Sequence, residues 1–79
     1  MRLDLYLKTS RIIKRRTVAN EACDAGRISV NGKEAKASYE VKAGDVLEIR
    51  FGASLTRAKV LTIKENARKD EASQMVEMM

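Results

Sequence analysis

The sequence predicts an α+β domain: two N-terminal helices packed on a small, mostly antiparallel sheet, with a C-terminal tail. Three observations carry that reading. Apolar residues recur at helical spacing up to about residue 25, alternate with polar ones from Val46 to Phe51 and again from Arg57, and are separated by turn pairs such as Asn31-Gly32. The 79 residues make one domain. A domain of that size buries only about 60% of its unfolded surface, so no large internal active-site cavity is expected.

Helix one is expected over roughly Arg2 to Ile13. Leu3, Tyr6 or Leu7, Ser10 and Ile13 follow the 3.6 period, with Lys8, Arg11 and Arg15 on another side. Asp4 stands four residues before Lys8, an orientation that suits an exposed helix-stabilising ion pair. A second short helix is expected to open at Thr17 as N-cap, to bury Val18, Ala22 and Ala25, and to close at Gly26, which accepts the left-handed conformation. Arg27–Val30 then reads as a strand that turns at Asn31-Gly32, the pair suited to a type I′ hairpin because both central residues need positive φ.

Glu34 to Ala37 makes a weak return strand, and Val41 to Asp45 a turn. Val46 to Phe51 is the clearest strand of the chain, with Leu47, Ile49 and Phe51 on its buried face. After Gly52-Ala53-Ser54, the pattern repeats from Arg57 to Ile63. The division expected is a domain over residues 1–64 and a tail over 65–79, charged early and Met-rich late, with a frayed end favoured over a short docking helix.

Composition removes several function classes. No apolar run approaches the ~20 residues of a membrane span, and the opening M-R-L-D-L-Y-L-K carries charges that a signal peptide lacks. A cytoplasmic protein that uses no membrane is expected. Histidine is absent and Cys23 is the lone cysteine, so the commonest general acid/base and the usual zinc sets are missing. No glycine-rich phosphate loop is present either. The sequence therefore predicts neither enzyme nor metal nor cofactor, and a small buried Cys23.

Charge points elsewhere. The net charge is +5, and all of it lies in residues 1–36, where nine Lys/Arg face four acids; residues 37–79 balance to zero. That asymmetry is the footprint of a nucleic-acid face. Lys14, Arg15 and Arg16 lie at or just before a helix N-terminus, where free N–H groups favour an anion, although positive side chains there oppose the helix dipole. A purely structural purpose would place acids at that end, so the elbow is read as a phosphate-binding patch. Arg2, Lys8, Arg11 and Arg27 extend it.

Aromatic residues are only three. Tyr6 and Tyr39 are the stacking candidates, yet Tyr6 and Phe51 are expected in the core. So few rings argue against a single-strand stacking platform and for structured RNA read by shape and phosphate contacts. A DNA-binding regulator lacks its long recognition helix here. A membrane-surface peptide sits poorly with period-2 strands after residue 45.

The order Met1-Arg2-Leu3-Asp4, then Arg11-Ile12-Ile13-Lys14-Arg15-Arg16-Thr17, then Gly26-Arg27-Ile28-Ser29-Val30-Asn31-Gly32, and then Val41 through Gly44-Asp45 resembles the RNA-binding domain named after small-subunit ribosomal protein S-four. With so little chain beyond that domain, the resemblance is to its stand-alone bacterial group, the RqcP family of ribosome-associated quality control, and more distantly to the fifteen-kilodalton heat-shock members. It implies a monomer that binds obstructed large ribosomal subunits, contacting ribosomal RNA and peptidyl-tRNA while an RqcH-type factor adds an alanine tail to the stalled chain. It also implies RNA contacts by Arg2, Arg11, Lys14, Arg15, Arg16 and Thr17. At Leu5 the chain departs from the family's Lys or polar residue, so no contact is expected there.

Overall fold

The computed structural model describes residues 1–63 and 69–79. In chain order they form α1 (Leu3–Thr9), α2 (Arg16–Asp24), β1 (Ile28–Val30), β2 (Lys33–Glu34), β3 (Val46–Phe51), β4 (Ser54–Val60), α3 (Lys69–Met75) and β5 (Val76–Met78). The strands make one sheet in the order β2-β1-β3-β4-β5, with every neighbouring pair antiparallel. The α+β expectation holds.

The apolar stripe of the first helix is as read: Leu3, Tyr6, Leu7, Ser10 and Ile13 are all buried. The helix is shorter than expected. Arg11 adopts φ 63°, a left-handed conformation that no helix can continue through. The Arg11 N–H returns to the Lys8 carbonyl at 3.0 Å and the Ile13 N–H to the Leu7 carbonyl at 3.1 Å, so Ile13 reaches the core from a turn. Lys8, Arg11 and Arg15 therefore do not share a helix face. At the other end the N-cap residue Arg2 makes no side-chain cap bond. The carbonyls of Tyr39 and Ala37 accept from the Leu3 and Asp4 N–H groups at 2.8 and 3.2 Å, so a distant loop satisfies the orphan donors.

The second helix starts two residues earlier than read. Its N-cap is Arg15, extended at φ −118°, and Thr17 caps nothing. The buried face is Ala19, Ala22 and Cys23, while Val18 is 40% exposed and Ala25 lies outside the core. Small residues on that face let α2 approach α1 closely. Gly26 ends the helix at φ +73°, as the sequence required.

Asn31 and Gly32 both take positive φ, 53° and 85°, and close the β1–β2 hairpin with Val30 opposite Lys33. β2 ends at Glu34; the Ala35 N–H still reaches the Ile28 carbonyl at 3.1 Å, and the loop then turns the Ala37 and Tyr39 carbonyls toward α1. In β3 the alternation is as read, with Leu47 and Ile49 buried under the helices. Phe51 is the exception: it lies on the same face but at the strand end, where only the edge of α2 comes near, and is 40% exposed. The two-residue turn Gly52-Ala53 puts Phe51 opposite Ser54, so β4 begins at Ser54 and ends at Val60 rather than running from Arg57 to Ile63.

Beyond Val60 the Leu61 and Thr62 N–H groups turn to the Met75 carbonyl, at 2.8 and 3.3 Å, which also accepts from the buried Tyr6 hydroxyl at 2.9 Å. Met75 is fully buried in the same cluster as Leu3, Tyr6, Leu7, Ile28, Leu47 and Ile49. β5 follows as an edge strand, with Val76 opposite Val60 and Met78 opposite Ala58. Residues 69–79 are thus helix and strand docked on the core rather than a frayed end. Lys64 and the tail's residues 65–68 lie outside the described residues.

Candidate nucleic-acid interface

The site is built on Asp4. Its side chain is buried, at 3% exposure, on the first turn of α1. Oδ1 accepts from the Leu5 N–H at 2.8 Å, and Oδ2 accepts from Asn20 Nδ2 at 3.2 Å across the α1–α2 contact. Two arginines close over it. Arg2 Nε stands 3.3 Å from Oδ1, and Arg16 Nε 3.4 Å from Oδ2. Burial alone would push the Asp4 carboxyl up, but hydrogen bonds from Asn20, the Leu5 N–H and Arg16 outweigh it and hold the group below its ordinary value. It is an anion in the folded protein at neutral pH.

That anion was misread in the sequence. Asp4 pairs with arginines from its own N-terminal flank and from α2, not with Lys8, because the approach of α2 removes it from the solvent-facing side. Asn20 and Arg16 supply the second half of the clamp. The Arg-Leu-Asp order followed by Arg16 twelve residues after Asp4 was the available signal, and only helix packing makes it legible.

The consequence is geometric. Arg2 and Arg16, about half exposed at 49% and 46%, are fixed side by side across one carboxylate. Arg16 spends only Nε on Asp4, and its Nη groups make no hydrogen bond among the described residues. A guanidinium has five donors in a rigid fork, so four remain to meet a phosphate. The backbone N–H groups of Arg16, Thr17 and Val18 likewise have no protein acceptor among the described residues, and α2 carries no acid in its first turn. Positive side chains and an open helix end converge there.

All eight residues singled out in the sequence, Arg2, Lys8, Arg11, Lys14, Arg15, Arg16, Thr17 and Arg27, are exposed. Asp4 joins Arg2 to Arg16, and Lys14 and Arg15 lead directly into the start of α2. Arg11 lines a groove with Ser10, Ile12, Ile49, Phe51 and Met78. Arg27 lines a neighbouring one with Val18, Glu21, Ala25 and Phe51. Lys8 stands apart on the last turn of α1. Leu5, half-buried, offers no polar group.

A second polar hub lies under the hairpin. Asp45 Oδ1 accepts from Asn31 Nδ2 at 3.1 Å, and its Oδ2 from the Tyr39 hydroxyl at 2.9 Å and the Lys42 N–H at 3.0 Å. Tyr39 is thereby committed to structure, and Tyr6 is fully buried, its hydroxyl pushed up to about 12 by burial. Tyr6 is thus closed to a base, while the half-buried Tyr39 has its hydroxyl held by Asp45.

A family model for the S4 domain matches residues 1–47, the stretch that holds the Asp4 clamp, the elbow and the first hairpin. A Streptococcus pneumoniae protein named RQC P-site tRNA stabilizing factor is 56% identical over 79 residues, covering 100% of this chain and 90% of its own. Its namesake in Halalkalibacterium halodurans is 55% identical over 78 residues, covering 99% and 89%. The chain belongs to this family of S4 domain proteins. The family's fold extends further. Heat Shock Protein 15 of Vibrio cholerae superposes with a TM-score of 0.91 at 29% identity, over 100% of this chain and 81% of that one.

Proposed function

We propose that this protein is a cytoplasmic, non-enzymatic RNA-binding factor of ribosome quality control that holds peptidyl-tRNA in place on obstructed large ribosomal subunits. The observation that carries this reading is the Asp4 clamp, which fixes Arg2 and Arg16 as a rigid pair beside the open end of α2. Names borne by relatives of more than half identity direct the reading to P-site tRNA. The RNA-contacting set is Arg2, Lys8, Arg11, Lys14, Arg15, Arg16, Thr17 and Arg27.

The mechanism is mechanical rather than chemical. A basic edge that touches ribosomal RNA and tRNA together slows departure of the tRNA, so its effect is a coupling free energy between the two. Pre-set arginines lose little side-chain freedom on binding, which favours affinity. The held tRNA then allows an RqcH-type partner to extend the stalled chain with alanine. The protein acts as a monomer in this reading, with residues 1–64 as the RNA-binding unit.

Sedimentation of tagged protein in lysate, with the RNA in each fraction identified, tests the reading. Wild type is expected with large subunits that hold peptidyl-tRNA, and Arg16→Ala at the top of the gradient. Free wild type at low salt would overturn ribosome binding. Alanine tailing that continues without the protein would instead favour the recycling role of the heat-shock members, whose fold this chain shares.

A further inference from the structure

The remaining aromatic residue is where the sequence did not expect it. Phe51 lies on the helix-facing side of the sheet, beside the edge of α2 rather than covered by it, 40% exposed, and it lines both grooves described above. On one side are Ile12 and Arg11; on the other, Val18, Ala25, Glu21 and Arg27. The groove on the Arg11 side is mostly apolar, and Arg11 is its one charged lining residue, so a phosphate would be met by the exposed guanidinium rather than by the groove floor. The other pairs Arg27 with Glu21 in its lining and is close to neutral, so it suits an uncharged group with a flat apolar face.

We propose that Phe51 is the stacking seat for one unpaired base of the bound RNA, with Arg11 holding an adjoining phosphate. A flipped-out or loop base presents a π-face that an aromatic ring covers, and guanidinium groups beside it add charge complementarity. A single ring suits one unpaired base within an otherwise structured RNA. The inference rests on the RNA-binding reading and adds to it the class of element bound: a hairpin loop or bulge rather than a continuous duplex.

The test uses the full chain with two synthetic RNAs of equal length and charge, one a hairpin with an unpaired loop and one a fully paired duplex. Phe51→Ala is expected to weaken hairpin binding about five- to a hundredfold, with duplex binding and the salt slope unchanged. Phe51→Leu, which keeps apolar bulk and is expected to melt like wild type, should lose hairpin affinity to a similar degree, separating stacking from folding. Because the chain has no tryptophan, Phe51→Trp gives a lone reporter whose fluorescence should be quenched by the hairpin and not by the duplex. Phe51→Ala binding the hairpin like wild type, or losing hairpin and duplex equally, would overturn the stacking seat and leave the RNA reading standing. Unchanged hairpin affinity with lost subunit association would assign Phe51 to a ribosomal protein. Wild type binding neither RNA would remove both readings.

Discussion

Arg11 occupies a backbone conformation that costs a non-glycine residue about 1–2 kcal/mol, and nothing in its surroundings requires the side chain for packing. Arg11→Gly is therefore expected to raise stability by up to about 1 kcal/mol while weakening RNA binding and reducing the salt slope by about one. Urea unfolding alongside a salt titration of binding checks both signs; a loss of stability would make Arg11 a structural residue. Asp4 and Asp45 behave alike in pH. Both carboxyls are held below the ordinary 3.8 in the fold, so the unfolded chain binds more protons in acid. Their stabilisation is full above that value and is lost as pH falls through the folded values. Asp4→Asn should flatten the decline of melting temperature below about pH 4 and lower affinity at neutral pH, because Arg2 and Arg16 are no longer pinned. A D4N/R16A double-mutant cycle should be non-additive, since both changes dismantle one clamp.

At the scale of elements, helix ends position the site. The α1 N-terminus is closed by loop carbonyls of Ala37 and Tyr39, and the α2 C-terminus by Gly26. A Cβ at Gly26 would meet the Glu34 carboxylate, the movable end of a flexible side chain, whereas φ +73° cannot be relieved. Gly26→Ala is accordingly expected to cost about 1–2 kcal/mol, and the same in a Glu34→Ala background. Chemical denaturation of the two pairs decides between backbone and steric cost: a penalty that vanishes with Glu34→Ala would make it steric. Val18 shows how sensitive faces are to such ends. Starting α2 at Arg16 and turning Asn20 toward Asp4 moves the buried stripe to Ala19, Ala22 and Cys23, leaving Val18 beside the Phe51 groove.

For the whole molecule, the C-terminal segment completes the core. Met75 fills the cluster and its carbonyl collects the Tyr6 hydroxyl with two backbone donors, so α1, the end of β4 and the tail meet at one residue. Met75→Ala is expected to destabilise by about 2–5 kcal/mol, and thermal unfolding should stay a single transition because no separate unit is released. If the tail instead melted first, leaving the domain's transition unmoved, its packing would be independent of the rest.

By itself the sequence determined the α+β class, the buried stripe of α1, the Asn31-Gly32 hairpin, the β3 alternation and the basic balance of the first half. These depend on local periodicity, turn chemistry and charge, which act over a few residues. Only the tertiary structure decided that Asp4 is a buried clamp, that Phe51 is exposed and that the tail docks. Each depends on which distant element arrives overhead: α2 above Asp4, only the exposed edge of α2 beside Phe51, and the sheet and Tyr6 against Met75. Residue type and spacing carry little record of such encounters, because the same aspartate, ring or methionine fits either environment until a partner desolvates it.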